Sequence, residues 1–150
     1  MPSGSRACGE PRSKKFDVIF IDGLHVYEQV RRDVLNALRH VSVGGWIVLH
    51  DMFPRNWVEE HVPRISTLWV GDMWKVALEL ARSPDVDFKI LSIDYGVGVL
   101  RIPKERPSIP DLRAELEAAR FSYFYNNIGS LPIVDYEQGR AWIESYTRKL

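Results

Sequence analysis

The apolar run Phe16-Asp17-Val18-Ile19-Phe20-Ile21 is nearly all β-branched or aromatic, and it breaks off at Asp22-Gly23. Such a run predicts a strand buried on both faces, as in the centre of a parallel sheet. Beyond a short loop, Val30, Val34, Leu38 and Val41 recur at helical spacing, with Arg31, Arg32, Asp33 and Arg39 falling between them. This pattern predicts an amphipathic helix from about Tyr27 to His40. Gly44-Gly45 is expected to end the connection, and Trp46-Ile47-Val48-Leu49 predicts a second buried strand that stops at His50-Asp51. Strand, helix and strand within about 35 residues make a βαβ unit, so the two strands should be parallel.

Pro54 and Pro63 mark a loop. Asp72 is placed to cap a helix from about Met73 to Arg82, which Pro84 stops. The β-rich runs Phe88–Ile93 and Val97–Ile102 flank Asp94-Tyr95-Gly96 and predict an antiparallel hairpin. A helix near Asp111 to Ala119 is expected next, followed by an aromatic loop with Phe121, Tyr123, Phe124 and Tyr125. A last helix is expected from about Tyr136 to Lys149. Asp135 with Gln138 three residues on has the form of a capping box at its start.

The fold class is therefore α/β: parallel strands plus a C-terminal antiparallel hairpin, flanked by helices. The first 15 residues carry Gly, Pro, Ser and four basic side chains without apolar periodicity, which predicts a disordered basic arm. The sheet-forming part is expected over residues 16–103 and a helical extension over 104–150.

Composition narrows the function classes. Lys plus Arg and Asp plus Glu number 20 each, so no net field draws the chain to nucleic acid or to an anionic membrane. No apolar run approaches the roughly 18–20 residues that span a bilayer, and the N-terminus has no secretory h-region. The lone Cys8 cannot close an internal disulfide. The expectation is a cytoplasmic protein.

Ligands of open α/β sheets bind at the carboxyl ends of the strands. Here those ends carry Asp22-Gly23-Leu24-His25 and His50-Asp51, on strands about 4.8 Å apart if they are neighbours. Carboxylates with an imidazole can hold Mg²⁺ or Mn²⁺, and a histidine near neutrality can take a proton from a hydroxyl.

The stretch Phe16 to Glu28, with its Ile-Asp-Gly-x-His-x-Tyr pattern, resembles the fourth strand and following loop of class I S-adenosylmethionine-dependent methyltransferases. The nearest likeness is to their small-molecule and sugar O-methyltransferase branch. Gly44 to Asp51 resembles the fifth strand of that branch, and Phe88 to Ile102 its closing strands. Thr67 to Lys75 and Asp94 to Val99 are similar to segments of a bacterial subgroup. The resemblance covers roughly residues 16 to 103.

It implies a partial Rossmann-like methyltransferase sheet and methyl transfer from S-adenosylmethionine to a hydroxyl of a sugar or other small molecule. It also implies His25 as general base, Asp22 as a cofactor contact, and Asp22, His50 and Asp51 as ligands of a possible divalent cation. The matching pair in metal-dependent relatives is usually acidic, so His50 departs from the pattern. Leu24 stands where an acidic residue is frequent.

The family's Gly-x-Gly-x-Gly loop has no counterpart before Phe16. Gly96-Val97-Gly98 is no substitute, because no helix opens after it. The chain is thus expected to be a C-terminal half whose first strand leaves an apolar edge open to self-association. The alternative is an inactive remnant acting as a binding or oligomerisation module, and a weaker third reading is a metal-dependent hydrolase.

Overall fold

The computed structural model describes residues 14–147, and the arm expected over 1–15 lies mostly outside them. The sequence folds into strands β1 (Phe16–Ile21), β2 (Val41–Leu49), β3 (Asp87–Leu91), β4 (Val97–Arg101) and β5 (Ile133–Val134). The helices are α1 (Tyr27–His40), α2 (Trp57–Glu60), α3 (Trp74–Ala81), α4 (Arg113–Leu116), α5 (Phe121–Asn127) and α6 (Tyr136–Thr147). The sheet order is β1-β2-β4-β3-β5. β1 and β2 run parallel, and β4 is antiparallel to both of its neighbours. This mixed, partly Rossmann-like α/β sheet with flanking helices is the expected fold class. Among the described residues no helix is long and apolar enough to cross a membrane.

α1 follows the predicted spacing, with Val30, Val34 and Leu38 buried on one stripe. They pack with Ile47 and Leu49 of β2 and with Trp74, Val76 and Leu80 in one core cluster. Alternation along β2 turns Trp46 to the opposite face, where it meets Trp142 and Tyr146 of α6 edge-on at 5.4 and 5.6 Å. The capping box forms as expected: Gln138 N donates to Asp135 Oδ1 at 2.8 Å, and Asp135 N donates to Gln138 Oε1.

Four expectations are corrected. Gly44-Gly45 does not precede β2 but lies inside it, at a register break where Phe16 pairs with Val41 and Val18 with Trp46. A Cβ on Gly45 would stand 2.8–2.9 Å from the carbonyl oxygens of Ser42 and Asp17, so the strands close there only over glycine. Asp72 does not cap α3. Its Oδ1 instead accepts from Tyr27 N at 2.7 Å, capping α1 from across the fold, while its Oδ2 pairs with Lys75 Nζ at 3.0 Å.

The aromatic segment at 121–125 is helix α5 rather than a loop, because Phe124 packs against Trp74 and Phe53 while Phe121, three residues earlier, packs against Phe124. Tyr123 stacks on Trp74 and bonds to Glu115. Finally, β1 is not buried on both faces. It is an edge strand among the described residues, with Val18 and Phe20 each 60% exposed, because only β2 pairs with it and α6 covers the far half of the sheet.

Candidate active site

The parallel register aligns Ile21 with Leu49, so the next residues, Asp22 and His50-Asp51, emerge side by side. His25 reaches them from the β1–α1 loop. That loop is fixed by a tight bond from Val26 N to Leu24 O at 2.8 Å. It is also fixed by Gly71, which approaches so closely that a Cβ there would collide with the His25 carbonyl; its φ of +63° suits glycine as well. Trp69 stacks on the imidazole at 5.6 Å and 26°, and its own indole N–H is held by the His61 carbonyl at 2.8 Å.

The four expected residues converge. His25 Nε2 lies 3.4 Å from Asp22 Oδ1, and His25 Nδ1 lies 3.4 Å from Asp51 Oδ2. His50 Nδ1 lies 3.3 Å from Asp51 Oδ1 and 3.7 Å from Asp22 Oδ1. Asp51 is buried and sits in the left-handed region at φ 57°, a cost of order 1–3 kcal/mol for a non-glycine residue. The residues after it are held by the β3–β4 turn: Met52 N donates to Gly96 O at 3.0 Å and Phe53 N to Tyr95 O at 2.7 Å. The β3–β4 turn thus lies across the end of β2 and adds a third carboxylate, Asp94, whose Oδ2 lies 2.8 Å from His50 Nε2.

The electrostatics follow from this packing. The Asp94 hydrogen bond, reinforced by the charges of Asp51 and Asp22, lifts the His50 pKa above its ordinary value against the opposing effect of burial. Burial raises the Asp51 carboxyl, and the neighbouring imidazoles partly offset that rise.

Asp22, His25 and Asp51 each offer a ligand atom, all within 4.8 Å of one another. His25 Nδ1 is buried and makes no hydrogen bond. A donor set of two carboxylates and an imidazole whose buried nitrogen makes no hydrogen bond suits a divalent cation of the Mg²⁺–Mn²⁺ kind. Three or more such groups can equally serve proton transfer. Beside the cluster a groove of about 460 Å³ opens between β1 and α1, lined by Ile21, Asp22, Gly23, Asp33 and Asn36 among others.

Asp94 was not legible as a site residue, since Asp-Tyr-Gly between two strands is ordinary turn chemistry. The missing signal was that β4, not β3, is the neighbour of β2. Trp57 is 60% exposed and Trp74 is core, whereas Trp69 stacks on His25 of the cluster. The glycines of Gly96-Val97-Gly98 serve packing: a Cβ on Gly96 would stand 2.6 Å from Phe53 and one on Gly98 2.9 Å from Met52 Sδ.

Fold and site together define an α/β protein with a polar cluster at the carboxyl ends of two parallel strands. A family model described as a methyltransferase domain matches residues 4–52. The matched stretch takes in β1, α1 and β2 and ends just after Asp51, so it contains Asp22, His25, His50 and Asp51. The match supports a methyltransferase domain, a class that draws on S-adenosylmethionine-type methyl donors. No curated protein matches the chain.

Proposed function

We propose that the chain serves an S-adenosylmethionine-dependent O-methyltransferase acting on the hydroxyl of a sugar or another small molecule. The observation that carries the reading is the convergence of Asp22, His25 and Asp51 within 4.8 Å, inside the stretch that matches the methyltransferase family. When bound, S-adenosylmethionine supplies an electrophilic methyl on a sulfonium whose sulfur takes the electron pair of the broken S–C bond.

The side chains do the rest. His25 takes the proton of the acceptor hydroxyl. Its ring is braced by Trp69, and it lies between two carboxylates that stabilise the imidazolium once it forms. Asp22, where β1 opens onto the groove, is suited to hold a polar group of the donor. Asp94 orients His50 through Nε2, leaving Nδ1 turned to the carboxylates. The test is formation of S-adenosylhomocysteine by the chain across a panel of sugar and phenolic hydroxyl compounds. Product above the acceptor-free background supports the reading, and none with any acceptor opposes it.

A second use of the same cluster is favoured by His25 Nδ1, which is buried without a hydrogen bond and lies 3.4 Å from Asp51 Oδ2. Asp22, Asp51 and an imidazole would hold a divalent cation, which supplies Lewis acidity toward a bound hydroxyl. Titration with Mn²⁺ separates the two roles of the histidines. If His50 is the ligand and His25 the base, His50→Ala weakens Mn²⁺ binding at least tenfold and His25→Ala leaves it unchanged. The reverse result makes His25 the ligand.

A further inference from the structure

We infer that β1 is the docking edge for a second copy of this chain, paired antiparallel about a two-fold axis through Val18. The Ile21 carbonyl accepts from His50 N within the sheet. By alternation, Phe16, Val18 and Phe20 therefore turn their own N–H and C=O groups to the edge that no strand pairs among the described residues. Only registers that match these outward residues with one another form a ladder.

Three such registers keep the strand substantially paired. With the axis at Val18, Phe16 faces Phe20 and Lys14 faces Asp22, twice over by symmetry. Sliding one way sets Asp17 against Asp17, and like charges directly opposite destabilise a pair. Sliding the other way sets Asp22 against Phe16 and leaves Lys14 without an acid.

The side chains support the central register. Phe16, Val18 and Phe20 are all exposed, and aromatic and β-branched cross-strand pairs are the contacts that stabilise a sheet. Lys14 Nζ lies 5.3 Å from the centre of the Phe16 ring, so the lysine runs along the same strand. The Asp22 side chain is 44% exposed, open to a second cation. Joining two copies makes one ten-stranded sheet and brings Lys14 of each copy to the mouth of the other's Asp22–His25–Asp51 cluster. The inference does not depend on which reaction that cluster performs.

Sedimentation equilibrium of the whole chain tests it, together with a cross-link at the axis. The expected result is a dimer that weakens as salt rises. Lys14→Asp should raise the dissociation constant at least tenfold, and the double variant Lys14→Asp/Asp22→Lys should recover it. In a Cys8→Ser background, Val18→Cys should form disulfide-linked dimers under mild oxidation, since paired Cα atoms lie about 5.5 Å apart in such a ladder. Val43→Cys, exposed but off the axis, should not. Circular dichroism confirms that each variant is folded. A monomer at all concentrations, or self-association indifferent to the Lys14 change and to the Val18 cross-link, overturns the inference and gives the edge to another occupant.

Discussion

Replacing Glu79 by alanine is expected to destabilise the fold by about 3–5 kcal/mol, the cost of leaving a buried charge without its partner. Glu79 is fully buried and holds three groups at once. Its Oε1 accepts from the Tyr27 hydroxyl at 2.9 Å, from Arg31 Nε at 3.0 Å and from Leu112 N at 2.9 Å. These donors come from α1 and from the segment leading into α4, while Glu79 itself is on α3. One carboxylate therefore ties together the helices that cover the core face of the sheet. Without it the Arg31 guanidinium, itself 9% exposed, keeps only Asp111 at 3.8 Å, and the Tyr27 hydroxyl loses its acceptor. Urea unfolding followed by circular dichroism measures the loss. A change below about 1 kcal/mol, the range of exposed ion pairs, would show that the network carries far less than its burial implies.

The second large effect concerns His25. His25→Ala should lower the rate of methyl transfer by about 10²–10⁴-fold, the usual worth of a positioned general base. Because the ring stacks on Trp69 at the edge of the site rather than in the main core, the variant should unfold at nearly the same urea concentration as the parent. His50→Ala should cost less in rate, since His50 is tied to Asp94 and flanks the carboxylates. A His25→Ala chain that turns over at the parental rate removes His25 from the chemistry, whatever its place in the cluster.

How much of this could be read from the chain differs by element. α1 was legible to its ends because a single stripe of Val30, Val34 and Leu38 faces a single core. The convergence of Asp22, His25, His50 and Asp51 was legible for a related reason: an apolar run that stops at a polar group marks the end of a sheet, and two such runs in one βαβ unit end on the same side. β1 was read correctly as a strand but wrongly as buried on both faces. Its composition records an environment that neighbouring strands within the described residues do not supply.

The misplacement of Asp72 has another cause. A cap was expected from sequence adjacency, yet the N–H groups in need were those of α1, 45 residues earlier in the chain and next to it in space. Asp94 was missed because turn residues read alike whether or not a histidine such as His50 lies beneath them. The aromatic segment 121–125 looked like a loop because the 7 residues of α5 carry too few periods to show helicity before Trp74 and Phe53 provide a surface to pack on.

The central claim is that the end of the β1–β2 pair is a methyl-donor site. Calorimetric titration of the chain with S-adenosylmethionine tests it most directly. Saturable binding tighter than about 1 mM, near 4 kcal/mol of free energy, and weakened at least tenfold in Asp22→Asn, is the predicted result. No saturable heat at millimolar donor, or binding equal in Asp22→Asn, contradicts it.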